Sequence, residues 1–149
     1  MPERRETSTL PPIGAAAAPP PFEKEEARVR STIQSLGYDE TIGYSFISSR
    51  EAEQFGGTRG IPLRNPLSEL WDVMRSSAVP TMLRALEWNL NRNEPTVKLA
   101  EIGRLYEKVG ADYHEPKVLT LGAAGLARAN SLEEAGRAFH FLDLKSDVE

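Results

Sequence analysis

The chain has 149 residues, 40% hydrophobic and 27% charged, with a formal net charge of −4 at neutral pH, two histidines and no cysteine. A chain of this length buries roughly two-thirds of its unfolded surface without a disulfide or metal staple, and its composition is that of a globular domain. A disulfide framework, a thiolate nucleophile, a thiolate zinc site and a histidine-rich metal cluster are all excluded, and a pI near 5.3 argues against a domain that grips nucleic acid by neutralising phosphates.

Residues 1–21 read as a linker or arm, because Pro11, Pro12, Pro19, Pro20 and Pro21 bracket the alanine run 15–18 and stop it from growing into a long helix. The start is charged and then proline-rich, unlike a signal peptide, and no apolar run nears the roughly 20 residues that cross a bilayer. The expectation is a cytoplasmic protein with no membrane partner. A folded unit is expected over 22–149. Val29, Ile33 and Leu36 share one helical face, and Gly37 stands where a helix-terminating glycine belongs. Ile42, Tyr44 and Phe46 alternate with Thr41, Gly43 and Ser45, which predicts a half-buried strand. Ser49 is placed to cap a short helix through Phe55, stopped by Gly56 and Gly57. A short strand over 61–64 ends at Asn65–Pro66.

The strongest helical signal follows over 77–92. Ser77 is a suitable cap, Pro80 falls in the first turn, and Val79, Leu83, Leu86 and Leu90 form a stripe with Met82 beside it. Two apolar-rich runs, 97–109 and 117–127, predict an antiparallel pair joined through a turn region at 110–116. Residues 128–138 read as loop or poor helix, and Asp143 is expected to cap a last helix. The fold class is α+β.

Chemical signals are sparse. Glu101 inside a strand is either a buried, functional acid or an outward or ion-paired strand position, and burial statistics favour the second. Glu133 and Glu134 read as a solvated face, His114 as a surface histidine, and Ser76–Ser77 as a cap without a catalytic base. Gly56, Gly57 and Gly60 lack the lysine and hydroxyl that complete a phosphate loop. No catalytic, cofactor-binding or metal-ligating residue is assigned. The leucine stripe, with Trp88 and Trp71 nearby, covers more than one narrow face. It either packs wholly on this chain's own sheet or shares itself with a partner helix.

The strings Leu36-Gly37-Tyr38-Asp39-Glu40 with Tyr44-Ser45-Phe46, Asn65-Pro66-Leu67-Ser68 with Met74-Arg75-Ser76-Ser77, Asn89-Leu90-Asn91-Arg92, Glu101-Ile102-Gly103, and Phe141-Leu142-Asp143-Leu144-Lys145 occur in an order that resembles the bacterial phenylalanyl-tRNA synthetase β subunit. The resemblance implies a partial class II aminoacyl-tRNA synthetase-like antiparallel sheet flanked by helices. It corresponds to the N-terminal part of the β subunit's non-catalytic core and ends before that core is complete. It further implies a helix at 77–92 in the position of the motif 1 helix, with Met82, Leu83, Leu86, Asn89 and Leu90 at an interface with catalytic α subunits in an α2β2 assembly. Leu99 stands where a catalytic motif 2 strand would carry arginine, so activation of phenylalanine by this chain alone is not expected. ATP and magnesium would serve the whole complex, and tRNA(Phe) would be reached through it. The alternative is a stand-alone protein-binding module derived from that core, without ligase activity.

Overall fold

A computed structural model describes residues 23–57, 60–128 and 135–149. The proline-rich stretch 1–21, and Glu133 and Glu134, lie outside the described residues. Helix α1 (Glu23–Ser35) opens with Glu23, Glu25 and Glu26 in its first turn, where the positive end of the helix dipole favours them. Gly37, at φ +83°, closes the helix. Of the three apolar positions expected to face inward, only Ile33 is buried, against Tyr38 and Ala100, while Val29 and Leu36 stay substantially exposed.

Strand β1 (Asp39–Glu40) runs parallel to β5 (Thr96–Arg104), with Asp39 opposite Leu99. The sequence contains no sign of this pairing, and it displaces the strand expected around 42–46. Thr41 donates the last rung to the Ala100 carbonyl at 2.8 Å, after which the chain leaves the edge of β5 and crosses to a second sheet. Only β2 (Phe46–Ile47) is strand there, and Ile42 is 92% exposed. Helix α2 (Ser49–Gly56) is capped by Ser48, one residue earlier than expected. The Ser48 hydroxyl accepts from the Glu51 N–H at 3.3 Å, and the Ser48 N–H donates to the Glu51 carboxylate at 3.0 Å. Strands β3 (Ile61–Pro62) and β4 (Val73–Met74) complete a three-stranded antiparallel sheet in the order β2-β4-β3. Ile47, Ala52 and Val73 form its core.

Helix α3 (Val79–Leu90) begins two residues after Ser77, whose hydroxyl still accepts from the Val79 N–H at 3.2 Å. Strand β5 pairs antiparallel with β8 (Lys117–Arg128) from Thr96 opposite Gly125 to Arg104 opposite Lys117. The expected single run to Val109 breaks at Leu105–Tyr106, because the Tyr106 N–H is drawn to the Arg75 carbonyl at 2.9 Å. The expected turn region instead contains a small hairpin, β6 (Glu107–Val109) with β7 (Asp112–His114), and His114 is exposed on it. Strand β9 (Arg137–Ala138) adds to β8, correcting the loop expected there. The main sheet therefore runs β1-β5-β8-β9.

Met82 and Leu86 on α3 pack on Val97 and Leu99 of β5. A Cβ at Gly122 of β8 would lie 2.7 Å from Met82 Cγ, so the missing side chain is what lets α3 settle on this sheet. Helix α4 (Phe141–Ser146) follows His140, and Asp143 sits at its third position rather than before it. The Asp143 carboxylate accepts from the His140 N–H at 2.7 Å and pairs with Arg137 at 2.8 Å.

The end of α4 is tied back to the sheet. The Asp147 carboxylate accepts from Lys98 Nζ at 2.9 Å and from the Tyr38 hydroxyl at 2.8 Å, and Lys98 lies 4.3 Å from the Tyr38 ring centroid. Lys98, helped by Tyr38, holds the Asp147 carboxyl below the usual carboxylate range. A carboxyl depressed in the folded state contributes stability that is complete above its unfolded value of about 3.9 and disappears as pH falls through the folded value. Acidification should therefore begin to loosen the tie of α4 to the sheet below about pH 4 and complete its loss only at lower pH. Asp147→Asn should remove that acid step, and the Tyr38 ring resonances followed by NMR across a titration check both outcomes.

Candidate functional site

Two strings that are far apart in the chain meet in one buried contact. Arg75 leaves the end of β4 and reaches Glu101 in the middle of β5. The Arg75 Nη1 to Glu101 Oε1 distance is 2.7 Å, with side chains only 2% and 4% exposed. Arg75 Nε donates to the Arg104 carbonyl at 2.9 Å, and Nη1 also reaches the Thr81 hydroxyl at 3.4 Å. Room for the guanidinium comes from Gly103, where a Cβ would stand 2.1 Å from Arg75 Nη2. The Glu-Ile-Gly string thus carries an acid for the ion pair and, two residues on, the space its partner occupies. Glu101 is the ion-paired strand position that burial statistics favoured. Arg75 was missed as a site residue, and the glycine two places after a strand acid was the available signal.

Above this pair opens a cleft of about 1070 Å³ between α2, α3 and the segment 41–44. Its walls are largely apolar and aromatic, with Tyr44 and Trp71 at 5.6 Å between ring centroids and Trp88 also in the lining. Of the two arginines that line the cleft, Arg50 and Arg84, Arg84 is paired with Glu51. Burial pushes the Glu51 carboxyl up, but the Ser48 N–H, the Arg84 guanidinium and the Ser48 hydroxyl outweigh it and hold that carboxyl below its usual value. Among the described residues no three His, Asp or Glu side chains converge to hold a metal ion, and no helix is long and apolar enough to cross a membrane.

The five residues expected at a subunit interface divide between two sides. Met82 and Leu86 are buried against the chain's own strands, and Asn89 is half-buried with its amide donating to the Ala85 carbonyl at 2.8 Å. Leu83 and Leu90 are 48% and 41% exposed, and Trp88 is exposed with Arg92 stacked on its ring. Leu99 is not turned to any cleft; it is core beneath α3.

This α+β arrangement, dominated by antiparallel pairing, shares its coarse fold with part of a class II aminoacyl-tRNA synthetase. A pyrrolysyl-tRNA synthetase, PylSc of Desulfitobacterium hafniense, matches 87% of this chain and 43% of its own at a TM-score of 0.55 and 20% identity. Sequence comparison is more particular. The family model for the phenylalanyl-tRNA synthetase β chain CLM domain matches residues 7–149, and the chain belongs to that family. Phenylalanine–tRNA ligase β subunits from Nitrosospira multiformis and Pseudomonas fluorescens are 35% and 36% identical over 135 and 140 residues, in each case 87% of this chain. A Zymomonas mobilis β subunit is 42% identical over 81 residues, 54% of this chain. The chain spans 16% and 17% of the first two relatives, about a sixth of their length.

Proposed function

We propose that this chain is the non-catalytic, synthetase-like core of a phenylalanine–tRNA ligase β subunit, in part, which helps a catalytic α subunit fold and assemble in the cytoplasm. Through that complex it would serve ATP-dependent attachment of phenylalanine to tRNA(Phe). Its own part is structural. The observation that supports this most directly is the division of α3. Met82 and Leu86 are taken up by the chain's own sheet, while Leu83 and Leu90, seven residues apart on the same side of the helix, leave a second apolar strip uncovered. Large apolar faces are what obligate subunit interfaces use. Leu99 is an uncharged core residue and Arg75 is consumed by Glu101, so neither neutralises a phosphate.

Co-expression with the α subunit of the same organism, followed by size-exclusion chromatography, tests the reading, and comigration is the expected result. A chain that stays monomeric under these conditions would favour the stand-alone binding module. ATP–pyrophosphate exchange with phenylalanine should be undetectable for the chain alone, and exchange above a no-protein blank would defeat the structural role.

A further inference from the structure

One acceptor in the floor of the cleft is left over. Glu101 Oε1 is engaged by Arg75 and by the Gly43 N–H, the latter at 3.3 Å, whereas the other carboxylate oxygen, Oε2, is buried with no hydrogen-bond partner. The backbone over it is glycine. A Cβ at Gly43 would meet Glu101 Oε2 at 3.1 Å and the Thr81 hydroxyl oxygen at 3.1 Å, so even a methyl group would close the approach to that oxygen. The segment 42–44 is anchored at its two ends, Thr41 N–H to the Ala100 carbonyl at 2.8 Å and Arg75 N–H to the Ser45 carbonyl at 2.9 Å. Between them the long Gly43 bond is what ties it to the floor. Gly43 lines the cleft together with Glu101, so it is the residue that would have to move outward for a donor in the cleft to reach Oε2.

We infer that this cleft binds a small, uncharged aromatic molecule that carries a single N–H or O–H donor, with the donor given to Glu101 Oε2. The donor follows from the unsatisfied acceptor, since a buried polar group gains most from the one partner it lacks. Absence of charge follows from Arg75, which already neutralises the carboxylate, so that a cation would add an unbalanced buried charge. The flat apolar body follows from the walls, where Tyr44, Trp71 and Trp88 present ring surface. The inference concerns the chain by itself and is independent of any subunit partner.

Indole and 1-methylindole have the same flat body, and only the first has a donor. Each is titrated into the full chain, with backbone amide and tryptophan indole resonances followed by NMR. Indole should shift the Gly43 and Thr81 amides saturably, and 1-methylindole should bind at least about fivefold more weakly, about 1 kcal/mol. In Gly43→Ala the methyl group should erase that difference while the rest of the spectrum stays in place. Equal affinity for the two probes would reduce the cleft to a greasy surface and overturn the assignment. Absence of shifts at Gly43 and Thr81, or discrimination that survives in Gly43→Ala, would overturn it as well.

Discussion

Glu101→Leu should cost the fold about 3–5 kcal/mol, a large share of the roughly 5–15 kcal/mol by which domains of this size are stable. The loss comes less from the missing attraction than from what remains. Arg75 is then a guanidinium in the interior, with only the Arg104 carbonyl and the Thr81 hydroxyl to receive its protons. It cannot shed its charge, and Gly103 holds it in a slot with no exit to solvent. The double variant Arg75→Met, Glu101→Leu should recover most of the loss, because paired burial of two charges is close to neutral against apolar residues of similar size. Urea unfolding of the three variants, read as midpoint at constant slope, measures this. If Glu101→Leu alone unfolds within about 1 kcal/mol of the parent, the pair is not the internal tie described here.

Opposite outcomes are expected from two leucines one turn apart on α3. Leu86→Asp places a carboxylate among Met82, Val97 and Leu99 and should destabilise the chain by about 4–5 kcal/mol, leaving little folded protein. Leu83→Asp, on the uncovered side, should leave the midpoint within about 0.5 kcal/mol of the parent. If the outer face of α3 receives the α subunit, Leu83→Asp should nonetheless weaken capture of that subunit at least about tenfold, about 1.4 kcal/mol. Capture measured on immobilised chain, alongside urea midpoints, separates the two effects. Burial of Leu86 under the chain's own sheet makes Leu83 the informative position instead.

Much of the fold was legible because it depends on near neighbours. The period of the α3 leucines, the serine before α2, Gly37 after α1 and the apolar runs of β5 and β8 each carry their reason within a few residues; the helices and β8 form within a residue or two of their expected places, while β5 stops five residues before Val109. The expected strand at 42–46 failed for a non-local reason. Its alternation is genuine, but the edge of β5 was already occupied by β1, and the chain had to cross to the smaller sheet to reach β4. The candidate site was legible only in halves. Glu101 stood out as a strand acid and Arg75 lay in a string that resembled a family's, yet neither residue indicates that it belongs to the other.

Consecutive residues carry the α+β character, the helix ends and the family, because helix period, capping and motif order are all local. The tertiary structure alone decided which side of α3 is covered, which cation meets Glu101 and which of its oxygens goes without a partner. Those outcomes depend on desolvation and on distances across the fold, and both exist only once α3 and β4 have closed over the sheet.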